Sequence, residues 1–242
     1  MGRLKVMSYN IRHGKGLDGK IDLKRIAELI LSRQVDLIGL QEVDQYMPRS
    51  YFTDQMGRLA EITGYNYCFY PNLKLAVAKY GNGVLSRWPI TSSYNRQLTS
   101  SREPRGAVVA VVEKGMERFK LINTHLGLVA EERLKQVEEL LRLIKPGEKA
   151  ILVGDFNATP ERAEIGKVLA AGMEDLFLQF SEKNNLSTEE GMTFADRSKL
   201  PNVRIDYIFS SREIEVDNFA VIACNYSDHR PLIAEVYTGE GN

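Results

Sequence analysis

Eight polar side chains in this chain stand where an apolar run stops. Asn10, Glu42, His125, Asp155, Asn157, Asp206, Asp228 and His229 each follow or lie in strand-like sequence. The end of a buried strand is an expensive place for an unpaired charge, so the group demands compensation. Carboxylate and amide oxygens are hard ligands of the kind Mg²⁺ prefers, and a divalent cation with mutual hydrogen bonds would supply it. Acids and imidazoles around such an ion can position a water, move its proton and neutralise a developing oxyanion.

Other residues read two ways. His13, in the loop directly after Asn10, is either a surface histidine or one that faces a substrate. Arg49 and Arg105 can clamp a phosphate or carboxylate, or simply be solvated. Asn82, between Gly81 and Gly83, is a turn residue tolerating positive φ or a contact to a phosphate edge. Glu103 lies in Ser101-Arg102-Glu103, which is otherwise an ordinary polar loop. The plain alternatives for the acids are ion pairs of Glu42 with Arg49 and of Asp206 with Arg204. Trp88 and Tyr94 read as packing residues. Cys68 and Cys224 have no Cys or His at ligand spacing and read as isolated buried thiols, not metal ligands.

The elements that must position these groups follow from periodicity. Leu4 to Tyr9 is a buried strand, residues 12–16 a glycine-rich loop, Ile21 to Ser32 a helix and Asp36 to Glu42 a second strand: a βαβ opening. Asp54 caps a helix to about Thr63, Tyr65 to Tyr70 is strand-like, and Val84 to Ser86 is a short apolar stretch. Ala107 to Val112 and Phe119 to Thr124 form a hairpin turned at Lys114-Gly115. Ala130 to Ile144 is an amphipathic helix, Ala150 to Val153 a buried strand stopping at Gly154-Asp155, and Glu161 to Ala171 a helix. A polar segment, Gln179 to Ser198, precedes strands at Val203 to Phe209, Asn218 to Ala223 and Leu232 to Tyr237. The strand ending in Asn10 and the strand ending in Asp155 echo one another, each followed by a loop and a helix. Two such halves face to face would bring both ends to one rim.

At 242 residues, 43% apolar and 26% charged, the chain reads as one α/β domain over residues 1–242 with a sizeable core. Lys plus Arg and Asp plus Glu each total 32, so net charge does not draw it to a polyanion, although a local basic patch is not excluded. No segment approaches a membrane span and the amino terminus lacks a signal-like apolar run, giving the expectation of a cytoplasmic protein. With no long heptad pattern, a monomer is expected.

The ordered set of motifs resembles the endonuclease/exonuclease/phosphatase superfamily, the group of deoxyribonuclease I and exonuclease III. It consists of Ser8-Tyr9-Asn10, Leu40-Gln41-Glu42-Val43, Gly83 to Arg87, Glu103-Pro104-Arg105-Gly106, Asn123-Thr124-His125-Leu126, Gly154 to Pro160, Arg204 to Ile208 and Ser227 to Pro231. The resemblance implies a four-layer α/β sandwich, two mixed sheets packed face to face with helices outside, and a Mg²⁺ cofactor, with Mn²⁺ as a substitute. It implies Glu42 as direct metal ligand, Asn10 nearby and Asp228 on the metal side. Asp155 and Asn157 would hold the attacking water and the phosphoryl oxygen from one side of an extended segment. His229, oriented by Asp206, and His125, oriented by Glu103, would face the phosphate. Proton removal from water falls to His229 or Asp155; His229 as base or transition-state donor, with Asp155 orienting the water, is the working assignment.

The strings around Tyr9 to Gly14, Gln41 to Ser50 and Gly81 to Ser86 look like compact bacterial members described only as metal-dependent hydrolases. Short loops and balanced charge favour a small or headgroup-like phosphodiester over a long nucleic-acid track. The alternatives are a nuclease of the abasic-site type, a phosphomonoesterase acting on an inositol or sugar phosphate, and a binding module that kept the fold without the chemistry.

Overall fold

The computed structural model describes residues 2–196 and 200–237. Two six-stranded mixed sheets face one another. The first runs β11 (Glu215–Val221), β12 (Leu232–Tyr237), β1 (Arg3–Asn10), β2 (Leu37–Gln45), β4 (Ala78–Ser86), β3 (Asn66–Leu75). The second runs β5 (Ile90–Leu98), β6 (Arg105–Lys114), β7 (Glu117–His125), β8 (Ala150–Asp155), β10 (Asp206–Ser210), β9 (Glu174–Asp175). The helices are α1 (Leu23–Ser32), α2 (Gln55–Thr63), α3 (Ala130–Leu141), α4 (Ala163–Ala170) and α5 (Leu176–Asn184).

Strand periodicity explains the layering. In β1, Leu4 and Val6 point into the core between the sheets, while Met7 and Tyr9 point to the other face, where α1 and α2 bring Ile26, Ile30 and Leu59. In β8, Ile151 and Val153 join the same central core, and Leu152 faces Val137, Leu140 and Ile165 of α3 and α4. Three apolar seams between four layers are the result. They account for why the central strands read as unbroken apolar runs.

The echo between the two halves is real. β1 pairs in parallel with β2 and β8 in parallel with β7, and each of β1 and β8 is flanked by an antiparallel strand, β12 or β10. All four parallel strands therefore end at one rim. Gly154 permits this closeness: its φ is +152°, and a Cβ there would lie 2.0 Å from the Thr124 carbonyl oxygen.

Several boundaries move. The Tyr65 to Tyr70 and Val84 to Ser86 stretches are halves of a long hairpin, β3 and β4. Asn82 lies inside β4, opposite Tyr70, which removes the turn reading. β5 leaves no apolar periodicity in the sequence because Thr91-Ser-Ser-Tyr-Asn-Arg-Gln97 is a polar edge strand with little to bury, and Tyr94 on it is exposed rather than packed. The polar segment 179–198 begins inside α5; its residues 197 and 198 lie outside the described residues. The last stretch of 203–209 shortens to β10, Val203 making only an isolated bridge to Phe194. Both cysteines are free and half-buried.

Candidate active site

The residues gathered at the rim converge on one carboxylate. Asp155, at the end of β8, accepts a hydrogen bond at Oδ2 from Nδ2 of Asn10 at 3.1 Å. The same oxygen faces Nε2 of His125 at 3.4 Å and Nε2 of His229 at 3.7 Å. Asn10 Nδ2 also donates to Glu42 Oε1 at 3.1 Å, so one amide ties the two acids across the sheets. The side chain of Asn10 is held in turn at Oδ1 by the backbone N–H of Arg12.

Glu42 reaches the cluster through backbone distortion. Between Leu40, opposite Gly83, and Val43, opposite Gly81, two residues of β2 face the single Asn82, a bulge that re-aims side chains. Glu42 takes φ +57°, a left-handed conformation costing an L-residue roughly 1–2 kcal/mol. Desolvation raises its pKa, an effect the Asn10 hydrogen bond only partly offsets and the Asp155 charge adds to.

The histidines are set differently. Nδ1–H of His229 donates to Asp206 Oδ2 at 2.9 Å, and Phe194 lies on the ring with centroids 4.7 Å apart. Burial opposes its charge, but Asp206 and Asp155 more than overcome that and push its pKa up to about 10. His125 is pushed down to about 4 by burial, with Asp155 opposing only in part and Arg105 adding to the fall.

For the metal-free protein this sets a pH window. His229 binds its proton more tightly folded than unfolded, so stability it contributes is full below about 6.5 and is lost as pH rises towards 10. His125 binds its proton less tightly folded, so stability is lost as pH falls from about 6.5 towards 4. Melting temperature in EDTA is expected to peak near neutrality. His229→Gln should flatten the alkaline limb and His125→Asn should make the acid limb shallower; unchanged limbs would contradict the assignment.

Some expected positions differ in detail. Asp155 and Asn157 do not share an extended segment: Asn157 has φ +48°, its N–H donates to Asp155 Oδ1, and its Nδ2 donates to the Leu126 carbonyl. Glu103 does not orient His125; it pairs with Arg105 at 3.0 Å. Arg49 pairs with Asp44, not Glu42, through two hydrogen bonds of 2.8 and 2.9 Å, and Arg204 pairs with buried Asp175, which leaves Asp206 to His229. Asp228 lies at the edge, 3.2 Å from Arg12. Asn82 Nδ2 is engaged by the Gly106 carbonyl. His13, at φ +44°, keeps a buried Nδ1 without a partner, and Arg105 keeps a buried Nε without one.

Sequence reasoning passed over four supports. Asn123 donates to the carbonyls of Leu40 and Gly83 at 2.8 Å each and accepts from Gln41 at 2.7 Å, pinning the sheets together below the site. Ser227 Oγ donates to the Asn10 carbonyl, fixing the loop that carries His229. Thr193 Oγ1 accepts from the backbone N–H of Asp206. Tyr80, half-buried under the Arg49 guanidinium, lies within the influence of Glu42, Glu103 and Arg105. A polar residue inside an apolar strand was the available signal for Asn123.

Among the described residues, Asp155, Asp206 and His229 offer ligand atoms within 4.8 Å of one another, a buried group able to hold a metal ion. The family model described as "Endonuclease/Exonuclease/phosphatase family" matches residues 7–229. The chain is 24% identical over 250 residues to "Uncharacterized protein YbhP" of Escherichia coli K12, covering 96% of each. Its fold is similar to an endonuclease/exonuclease/phosphatase from Beutenbergia cavernae DSM 12333, with TM-score 0.82, 21% identity, and coverage of 97% of this chain and 71% of that one. It is also similar to a mannosyl-6-phosphatase of Bacteroides thetaiotaomicron VPI-5482, with TM-score 0.77, 20% identity, and coverage of 97% and 99%.

Proposed function

The chain belongs to the endonuclease/exonuclease/phosphatase family, and we propose from that premise that it hydrolyses a small phosphodiester with the help of Mg²⁺, for which Mn²⁺ can substitute. The observation that carries this reading is the convergence of Asn10, His125 and His229 on the Asp155 carboxylate.

The donor set fits a divalent cation. Asp206 Oδ1 is buried without a hydrogen-bond partner, and Glu42 is held by one amide while burial and Asp155 disfavour its charge. Two groupings compete for the ion. The Asp155, Asp206 and His229 trio is the tighter, but His229 Nδ1 and Asp206 Oδ2 are bonded to each other, which leaves only Asp206 Oδ1 open on that side. Glu42, with Asn10 adjoining and Asp228 at the edge, is the better holder. A cation bound there would acidify water and neutralise charge on phosphoryl oxygens.

The chain's own groups supply the rest. Asp155, anchored by Asn10 and by the N–H of Asn157, orients water for in-line attack and accepts its proton as the new P–O bond forms. His229, cationic at neutral pH, serves as the hydrogen-bond donor to the phosphoryl group and gives its Nε2 proton to the leaving oxygen as the old P–O bond breaks. Neutral His125 adds a second hydrogen bond to the phosphoryl oxygens. Tyr80, Arg49, Arg105, His13 and Asn82 line the substrate side.

A phosphomonoesterase is the second reading, favoured by the buried, unpartnered Nε of Arg105, which could meet the extra charge of a dianion. The test compares bis-(p-nitrophenyl) phosphate, p-nitrophenyl phosphate and abasic duplex DNA at low salt. Metal-dependent cleavage of the diester, abolished by EDTA, with intact DNA is expected. Faster turnover of the monoester would establish the second reading, strong salt-sensitive DNA cutting a nuclease, and inertness towards every ester a binding module.

A further inference from the structure

The mouth of the cleft has two unlike lips. The first sheet sends three segments past the site: the loop after β1, the loop after β2 and the tip of the β3–β4 hairpin. They adjoin one another, since Gln45 pairs with Lys79, the Arg49 guanidinium lies 5.1 Å over the Tyr80 ring, and Gln55 Nε2 donates to the His13 carbonyl. On this lip large apolar side chains stand in solvent. Tyr51 is 77% exposed, Phe52 63% and Val77 71%, with Tyr46 and Leu75 beside them. Tyr46, Tyr51, Phe52 and Ala76 have φ of +58°, +57°, +56° and +53°, strained conformations with no packing of Tyr51 or Phe52 to offset them.

Charge divides the lips as well. Residues 12–20, 46–54 and 74–79 contain six Lys or Arg against two Asp or Glu. Both acids are engaged, Asp18 by Arg25 and Asp54 as the cap of α2. Lys15, Lys74 and Lys79 form no ion pair among the described residues. Across the mouth, the segments that follow β7 and β8, residues 126–132 and 156–164, contain one Lys or Arg against four Asp or Glu.

We propose that the basic, apolar lip seats on the surface of an anionic lipid bilayer and delivers the site to the phosphodiester of a lipid headgroup. The substrate part of this rests on the phosphoesterase reading; the surface part does not. Tyrosine and phenylalanine at headgroup depth with lysines reaching anionic lipid are the chemistry of interfacial attachment. A single-stranded nucleic acid would use the same cations and aromatic rings. The hairpin tip decides against it, because Leu75 and Val77 offer no ring face to a base. No helix of the described residues is long and apolar enough to cross a membrane, and the attachment proposed is peripheral.

The test is co-sedimentation of the full chain in EDTA with vesicles of phosphatidylcholine alone or with about a third phosphatidylglycerol. Binding to the anionic vesicles only, weakened by salt, is expected. Tyr51→Asn with Phe52→Asn keeps residues that tolerate left-handed backbone. It should lower vesicle binding by at least about tenfold with turnover of bis-(p-nitrophenyl) phosphate unchanged. Glu42→Gln should still sediment with vesicles while losing turnover, which separates failure of the surface from failure of the site. Absence of sedimentation with either vesicle overturns the proposal. So does retention of a single-stranded oligonucleotide, in place of vesicles, that the same double substitution abolishes.

Discussion

His229→Ala is expected to lower kcat for bis-(p-nitrophenyl) phosphate by about a thousandfold, the scale of losing a positioned proton donor together with an oxyanion contact. The imidazole touches both Asp206, at 2.9 Å, and the Asp155 oxygen, at 3.7 Å. Truncation leaves Asp206 with neither oxygen bonded, so folding must be checked separately. His229→Ala combined with Asp206→Asn removes that stranded carboxylate and should recover melting temperature without recovering turnover. Asp206→Asn alone keeps the imidazole but takes away its strongest charge partner. Its signature is therefore a downward move of the alkaline limb of the pH–rate profile, a change that a merely structural role for Asp206 would not produce. Wild-type turnover in His229→Ala would remove this histidine from the chemistry.

Strand ends were legible because burial on both faces writes them into the sequence. Leu4 to Tyr9, apart from the half-buried Lys5, and Ala150 to Val153 are buried, so Asn10 and Asp155 stood out as the polar residues at which the runs stop. β5 and α5 were opaque for the opposite reason. The first is a polar edge, and the second buries Leu176, Phe177 and Ser181 against its neighbours while presenting Gln179, Glu182, Lys183 and Asn184 elsewhere.

Which polar residues gather at the rim was legible, and how they bond to one another was not. No local pattern says that Glu103 turns to Arg105, or that Asn157 leaves the extended region to receive Asp155 as a turn acceptor. Those outcomes depend on which partner the other sheet brings nearby. The Asn123 bridge illustrates this: its amide spans Leu40, Gly83 and Gln41, residues separated from it by 40 to 83 positions. The close approach it spans needs Gly39, where a Cβ would lie 2.4 Å from Val153.

Glu42 exposes the conflict between stability and function most directly. Its backbone is strained, its carboxylate is partly desolvated, and Asp155 repels it. Because its folded pKa is raised above the unfolded value, its cost is absent at acid pH and grows as pH rises from the usual carboxylate range through the raised folded value. Glu42→Gln keeps the shape and removes the charge. Without metal at neutral pH the variant is expected to melt about 2–4 °C above wild type, the shift that ~1 kcal/mol produces in a chain of this size, and the gap should close below about pH 4. Saturating Mg²⁺ should reverse the order, since only the native acid gains from binding. Calorimetry should find affinity for the ion lowered by about a hundredfold or more, with turnover falling alongside. Equal Mg²⁺ affinity in the two proteins would place the cation elsewhere, and a variant that melts lower in EDTA would mean that Glu42 is a structural acid whose charge the fold needs.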